Sequence, residues 1–139
     1  SREKRDAWAL NTKGLALNKL DRHEDAITFY DISLEIEPNN PTALVNKANT
    51  LALLKELEEA IEYYDKAQKA DPQIKQIAYI KSQLLEKLGK EDEAFLAAQG
   101  VLLDDMKKII EDATKNKCSV FHQFCMNEFD EQEAKKRSN

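Results

Sequence analysis

The chain has 139 residues, 42% of them hydrophobic and 34% charged, with a formal net charge of −5. That length suits one domain with an elongated core, and three glycines with three prolines suit a helical protein better than sheets or disorder. Residues 1–104 hold 14 basic and 19 acidic side chains and residues 105–139 hold seven of each, so no basic excess exists to neutralise phosphates and nucleic acid is not expected as a partner.

Ser1 to Asp6 is charged and predicted to fray. From about Ala7 a helical pattern runs through Leu10, Gly14, Leu17 and Leu20 at steps of mostly three and four residues. Asp21-Arg22-His23 is the turn, and a second helix carries Ala26, Ile27, Tyr30, Leu34 and Ile36 before Pro38 stops it. Pro41 suits the first turn of the next helix. That helix carries Leu44, Ala48, Leu51 and Leu54, and its partner Ala60, Ile61, Tyr64 and Ala67, ending at Asp71-Pro72. A third pair uses Ile77, Leu84, Leu85 and Leu88, with Gly89 as a C-terminal cap, then Ala94, Phe95, Ala98, Val101 and Leu102. Beyond Asp104 an apolar stripe passes through Met106, Ile109, Ile110, Ala113, Val120, Phe121 and Phe124. With no Pro or Gly after Gly100, one long helix from about Asp105 to Glu133 is expected, with room for a bend at Asn116-Lys117.

These landmarks repeat every 34 residues: Gly14, Ala48 and Ser82; Leu17, Leu51 and Leu85; Ala26, Ala60 and Ala94; Tyr30 with Tyr64; Pro38 with Pro72. A period of 34 with two helices per unit resembles the tetratricopeptide repeat family over residues 7–104. The resemblance implies an all-α, right-handed superhelical solenoid of three helix-turn-helix repeats (7–40, 41–74 and 75–104). A long C-terminal capping helix with its tail (105–139) would cover the exposed end. Its small residues let paired helices approach closely. The family's large residue early in the first helix is Leu10, Leu44 and then only Ala78, so the third repeat fits least well.

In this family the first helices line a concave groove that holds peptides. The resemblance therefore implies a protein or peptide partner and a groove made by Trp8, Asn11, Thr12, Leu15 and Asn18, then Val45, Asn46, Asn49 and Leu53, then Gln76, Tyr79, Ile80 and Gln83. The recurrent type is the carboxamide, which both donates and accepts and so suits the backbone of an extended peptide; plain solvation of the same positions is the alternative. The Lys-Asn-Arg clamp by which co-chaperones of the family hold a terminal carboxylate would fall at Asn11, Leu15, Asn46, Gln76 and Ile80. Only Asn46 keeps its type and no cation remains, so this clamp is not expected. Lys13, Lys47 and Lys81 also recur at 34 and are expected to lay their stems over apolar neighbours with the ammonium in water.

Phe121, Phe124, Met126 and Phe129 spread more widely around the last helix than a cap requires, which makes self-association as a homodimer the alternative role. Cys118, His122 and Cys125, spaced four and three apart, would share one helix face. They are read as small core residues with a boundary histidine rather than a zinc or copper site or a reactive thiol pair. Two cysteines make no disulfide framework. No phosphate loop, metalloprotease motif or nucleophile set assembles, so neither catalysis nor a cofactor is expected. No apolar run reaches membrane-spanning length and no signal peptide is recognisable, so a soluble cytoplasmic protein with no membrane partner is expected. The missing initiator Met fits a piece of a larger protein.

Overall fold

A computed structural model describes residues 1–138, and every regular element among them is an α-helix. In chain order these are α1 (Arg2–Lys19), α2 (His23–Ile36), α3 (Pro41–Leu53), α4 (Leu57–Ala70), α5 (Gln76–Lys87), α6 (Glu91–Ala98), α7 (Leu103–Lys115) and α8 (Val120–Ser138). The first six form three hairpins stacked into a solenoid, with α7 and α8 packed on the last.

The small residues act at the hairpin waists. A Cβ on Gly14 would stand 2.6 Å from Tyr30 Cε1 and 3.1 Å from the Ala26 carbonyl oxygen, so α1 and α2 meet closer than any larger residue allows. Ala48 and Ala60 are fully buried at the next waist, and Tyr30 and Tyr64 fill the space beneath. Each hairpin turns the same way. Asp21, Lys55 and Gly89, again 34 apart, take positive φ of 60°, 65° and 75°. The next N–H then reaches back to the last helical turn: Arg22 to the Leu17 carbonyl at 3.0 Å, Glu56 to Leu51 and Lys90 to Leu85 at 2.9 Å. This is the Schellman arrangement, which satisfies carbonyls left open at a helix end.

The same device corrects the C-terminal expectation. One helix over 105–133 does not form, because Lys117 adopts φ 52° and the Cys118 N–H bonds back to the Ala113 carbonyl at 3.1 Å. The segment is therefore two helices. The third repeat is also shorter than its periodicity suggests. Gly100 takes φ 85° and Val101 N–H bonds to the Leu96 carbonyl, so Val101 and Leu102 leave the helix.

The lysine expectation is overturned at two of three positions. Lys81 is 0% exposed and Lys47 is buried. Lys81 Nζ lies 2.7 Å from Asp65 Oδ1 and 2.8 Å from Gln68 Oε1; Lys47 Nζ lies 2.6 Å from Asp31 Oδ1 and 2.8 Å from the Tyr63 hydroxyl. Asp31 and Asp65 are themselves 34 apart, so each first helix reaches back to the second helix of the preceding repeat. Burial works against the Lys47 ammonium, but hydrogen bonds to Asp31 and Tyr63 outweigh it and its pKa stands raised. At Lys81 burial wins over the Asp65 carboxylate and the pKa is lowered. Only Lys13 keeps an exposed ammonium, 4.4 Å from the Phe29 ring centroid.

Asp65 does more than pair with Lys81. The same Oδ1 accepts the Leu103 N–H at 2.9 Å, capping α7 from another helix where Leu102 has no side chain able to do so. Removing one partner of a buried pair leaves the other charge stranded. Lys81→Met is therefore expected to cost about 3–5 kcal/mol in urea unfolding. Asp65→Asn keeps an acceptor for Leu103 but strands the Lys81 ammonium, and is expected to cost a similar amount; a cost below about 1 kcal/mol for either variant, the range of an exposed pair, would contradict this role for the pair.

Candidate functional site

All the groove residues named from the sequence lie on α1, α3 and α5, the first helices of the three hairpins. Large apolar side chains stand uncovered on each: Trp8 is 68% exposed, Leu53 58% and Tyr79 64%. Brought to one repeat by steps of 34, Trp8, Tyr79, Leu15 and Leu53 follow one another at spacings of three, four and four residues. That is one stripe of a helix. The stripe offers an aromatic or aliphatic contact on every repeat.

The carboxamides sit on the same side but are less free than the sequence suggests. Asn46 Nδ2 donates to Asn11 Oδ1 at 3.1 Å, tying the first two repeats together, and Asn11 is buried. Asn49 accepts the Tyr64 hydroxyl, and Asn18 pairs with His23 Nδ1. Gln83 Nε2 donates to the Tyr79 hydroxyl at 2.7 Å. Each of these amides has spent part of its capacity inside the protein. Asn49 is exposed and only its oxygen is occupied, which leaves its NH2 group to donate elsewhere. Apart from the Gln83–Tyr79 bond, which lies within α5, these partners come from other helices, so a single-helix reading of the sequence carries no signal for them. Ile80 and Val45 are half-buried, while Gln76 and Thr12 are exposed.

No cation stands at the five positions of the carboxylate clamp, and the buried lysines are committed to Asp31 and Asp65. The site is electrostatically quiet.

At the other end the aromatic set separates. Phe124 turns inward, its ring edge-on to Phe95 with centroids 5.7 Å apart, and shares that face with Val120 and Gln123, both buried. Phe121, Met126 and Phe129 remain exposed. Cys118 lies in the turn before α8 and its thiol donates to Gln123 Oε1 at 3.6 Å, whereas His122 and Cys125 are exposed on α8. The three do not share a helix face as the spacing suggested. Among the described residues no group of three or more His, Cys, Asp and Glu is placed to hold a metal, and no helix is long and apolar enough to cross a membrane.

The profile of a family described as anaphase-promoting complex, cyclosome, subunit 3 matches residues 19–101. Solved structures share the fold at low identity. The second TPR of Spaghetti (RPAP3), bound to the HSP90 peptide SRMEEVD, is 21% identical with a TM-score of 0.65, covering 70% of this chain and 91% of that one. The Arabidopsis OM64 TPR domain is 20% identical with a TM-score of 0.65, covering 83% and 98%. A mutant of MamA is 18% identical with a TM-score of 0.61, covering 67% and 68%. No curated protein matches the chain in sequence.

Proposed function

The chain belongs to the tetratricopeptide-repeat family described as anaphase-promoting complex, cyclosome, subunit 3, and on that premise we propose that its groove holds a peptide or helix of another protein, without catalysis. Families of this type are generally protein–protein interaction modules. The observation that carries the reading is the exposed stripe of Trp8, Leu15, Leu53 and Tyr79 across three successive first helices. Large apolar side chains left uncovered on the same side of three neighbouring helices are the surface such a ligand would cover. Asn49 and Gln76 would supply hydrogen bonds to a ligand backbone, with Asn46, Asn11, Asn18, Gln83 and Ile80 holding the floor. A similar fold occurs bound to a peptide in the second TPR of Spaghetti, which supports the mode but not the ligand.

Affinity in this reading comes from apolar anchors, and aromatic anchors dominate such interfaces. Trp8→Ala/Tyr79→Ala is expected to weaken capture of a partner from source-cell lysate by about thirtyfold or more, with helicity by circular dichroism unchanged. Retained capture by the folded double variant would refute the groove. Amidating the C-terminus of a captured peptide should alter its affinity by no more than about twofold. A terminal-carboxylate clamp would instead lose about tenfold or more, and such a loss would contradict the absence of a cationic clamp.

A second reading, self-association through α8, is favoured by the exposure of Met126 and Phe129, and of Phe121 beyond its contact with the Phe95 ring, on a helix that packs on α6 and α7 through another face.

A further inference from the structure

Each of the first two hairpins carries a tyrosine on its second helix, Tyr30 in α2 and Tyr64 in α4, and both are buried. The position 34 residues further on, in α6, is Ala98, and it is exposed. Gly14 fixes where the ring sits in the first hairpin, because a Cβ added there would stand 2.6 Å from Tyr30 Cε1 and 2.8 Å from Cδ1. The equivalent of Gly14 in the third hairpin is Ser82. Ser82 and Ala98 both line an open cleft of about 600 Å³, together with Glu86, Glu91, Ala94 and Phe95. All six belong to α5 and α6, so neither α7 nor α8 supplies the missing ring.

The cleft also holds a polar group without a partner. Ser82 is 7% exposed in its wall. Its neighbours Lys81 and Gln83 hold hydrogen-bond partners, whereas the Ser82 hydroxyl holds none among the described residues. Leaving a buried hydroxyl unpaired is costly, and a polar atom of a ligand recovers that cost. The second hairpin shows where a tyrosine oxygen goes in this frame: the Tyr64 hydroxyl donates to Asn49, and the equivalent of Asn49 is Gln83. Gln83 spends Nε2 on the Tyr79 hydroxyl at 2.7 Å and keeps Oε1 to accept. Tyr79, Ser82, Gln83 and Glu86 stand at the first, fourth, fifth and eighth places of one helical stripe, so the cleft adjoins the apolar groove at Tyr79.

We propose that the ligand of the groove inserts a tyrosine side chain into this cleft, taking between α5 and α6 the place that Tyr30 and Tyr64 take in their own hairpins. This rests on the groove reading and names what the ligand carries. Ala94, Phe95 and Ala98 receive the ring, and Ser82 and Gln83 receive its hydroxyl. Glu86 and Glu91, both exposed beside the cleft, set what flanks the tyrosine. A carboxylate next to it, or a phosphate on it, meets two like charges, so neutral or basic neighbours are selected.

A chemical-shift titration of the isotope-labelled full chain with p-cresol, the tyrosine side chain as a free molecule, tests it. The amides of Ser82, Ala94, Phe95 and Ala98 are expected to shift together and to saturate. Toluene, which lacks the hydroxyl, should bind at least about threefold more weakly. Ala98→Tyr returns the ring to the hairpin. Ala98 is exposed, and Ala48 already places a Cβ at the waist beside Tyr64, so the variant should fold, with helicity as the control. It should abolish the p-cresol shifts in the cleft and weaken partner capture at least about tenfold. No p-cresol shift in the cleft, or unchanged capture by folded Ala98→Tyr, overturns the proposal and leaves the groove reading standing. Toluene binding as tightly as p-cresol overturns the choice of tyrosine. Capture retained by Trp8→Ala/Tyr79→Ala but lost in Ala98→Tyr overturns the groove reading alone and leaves the cleft as the site of the tyrosine.

Discussion

The Asp65 carboxylate is the joint on which the C-terminal half hangs. One oxygen receives the Lys81 ammonium from α5 and the Leu103 N–H at the start of α7, and Lys69 stands 3.9 Å from the other. Burying two opposite charges is costly unless their remaining hydrogen-bonding capacity is met. Here it is met by Gln68 and by the carbonyl of Val101 at 3.4 Å. The irregular stretch from Gln99 to Leu102 is thereby folded back over α4, helped by Gln68 Nε2 on the Gly100 carbonyl at 2.9 Å. The third repeat is short at α6 because the chain must turn there to meet this carboxylate.

The period of 34 therefore works at three levels. Small residues at Gly14, Ala48 and Ser82 set how closely each hairpin closes. Positive φ at Asp21, Lys55 and Gly89 sets its turn. The Lys47–Asp31 and Lys81–Asp65 pairs fix how one hairpin sits on the next. A solenoid has only neighbour contacts to rely on, so stacking needs a directional element as well as apolar burial. Placing the charges between repeats leaves the groove stripe free of them, and the proposed ligand would meet aromatic and amide groups instead.

The parts of this that depend on spacing alone were legible in the residues: the helices of the first two repeats and the waists between them. The parts that depend on what lies across a helix pair were not. Lys47 and Lys81 read as surface lysines because a charged side chain is usually solvated; the clue was the constant offset of 16 to Asp31 and Asp65, visible only when both series are laid together. The break at Lys117 was hidden because a lysine, not a glycine, takes the left-handed turn. The internal bonds of Asn11, Asn46 and Asn49 needed the packed helices.

The most direct measurement is amide hydrogen exchange, resolved along the chain, on wild type and Lys81→Met under conditions where both remain folded. If the Asp65 joint holds the C-terminal half, α5, α6, α7 and α8 lose protection together, while α1 to α3 keep theirs. Loss spread evenly over all eight helices, or confined to the residues beside Lys81, would contradict it.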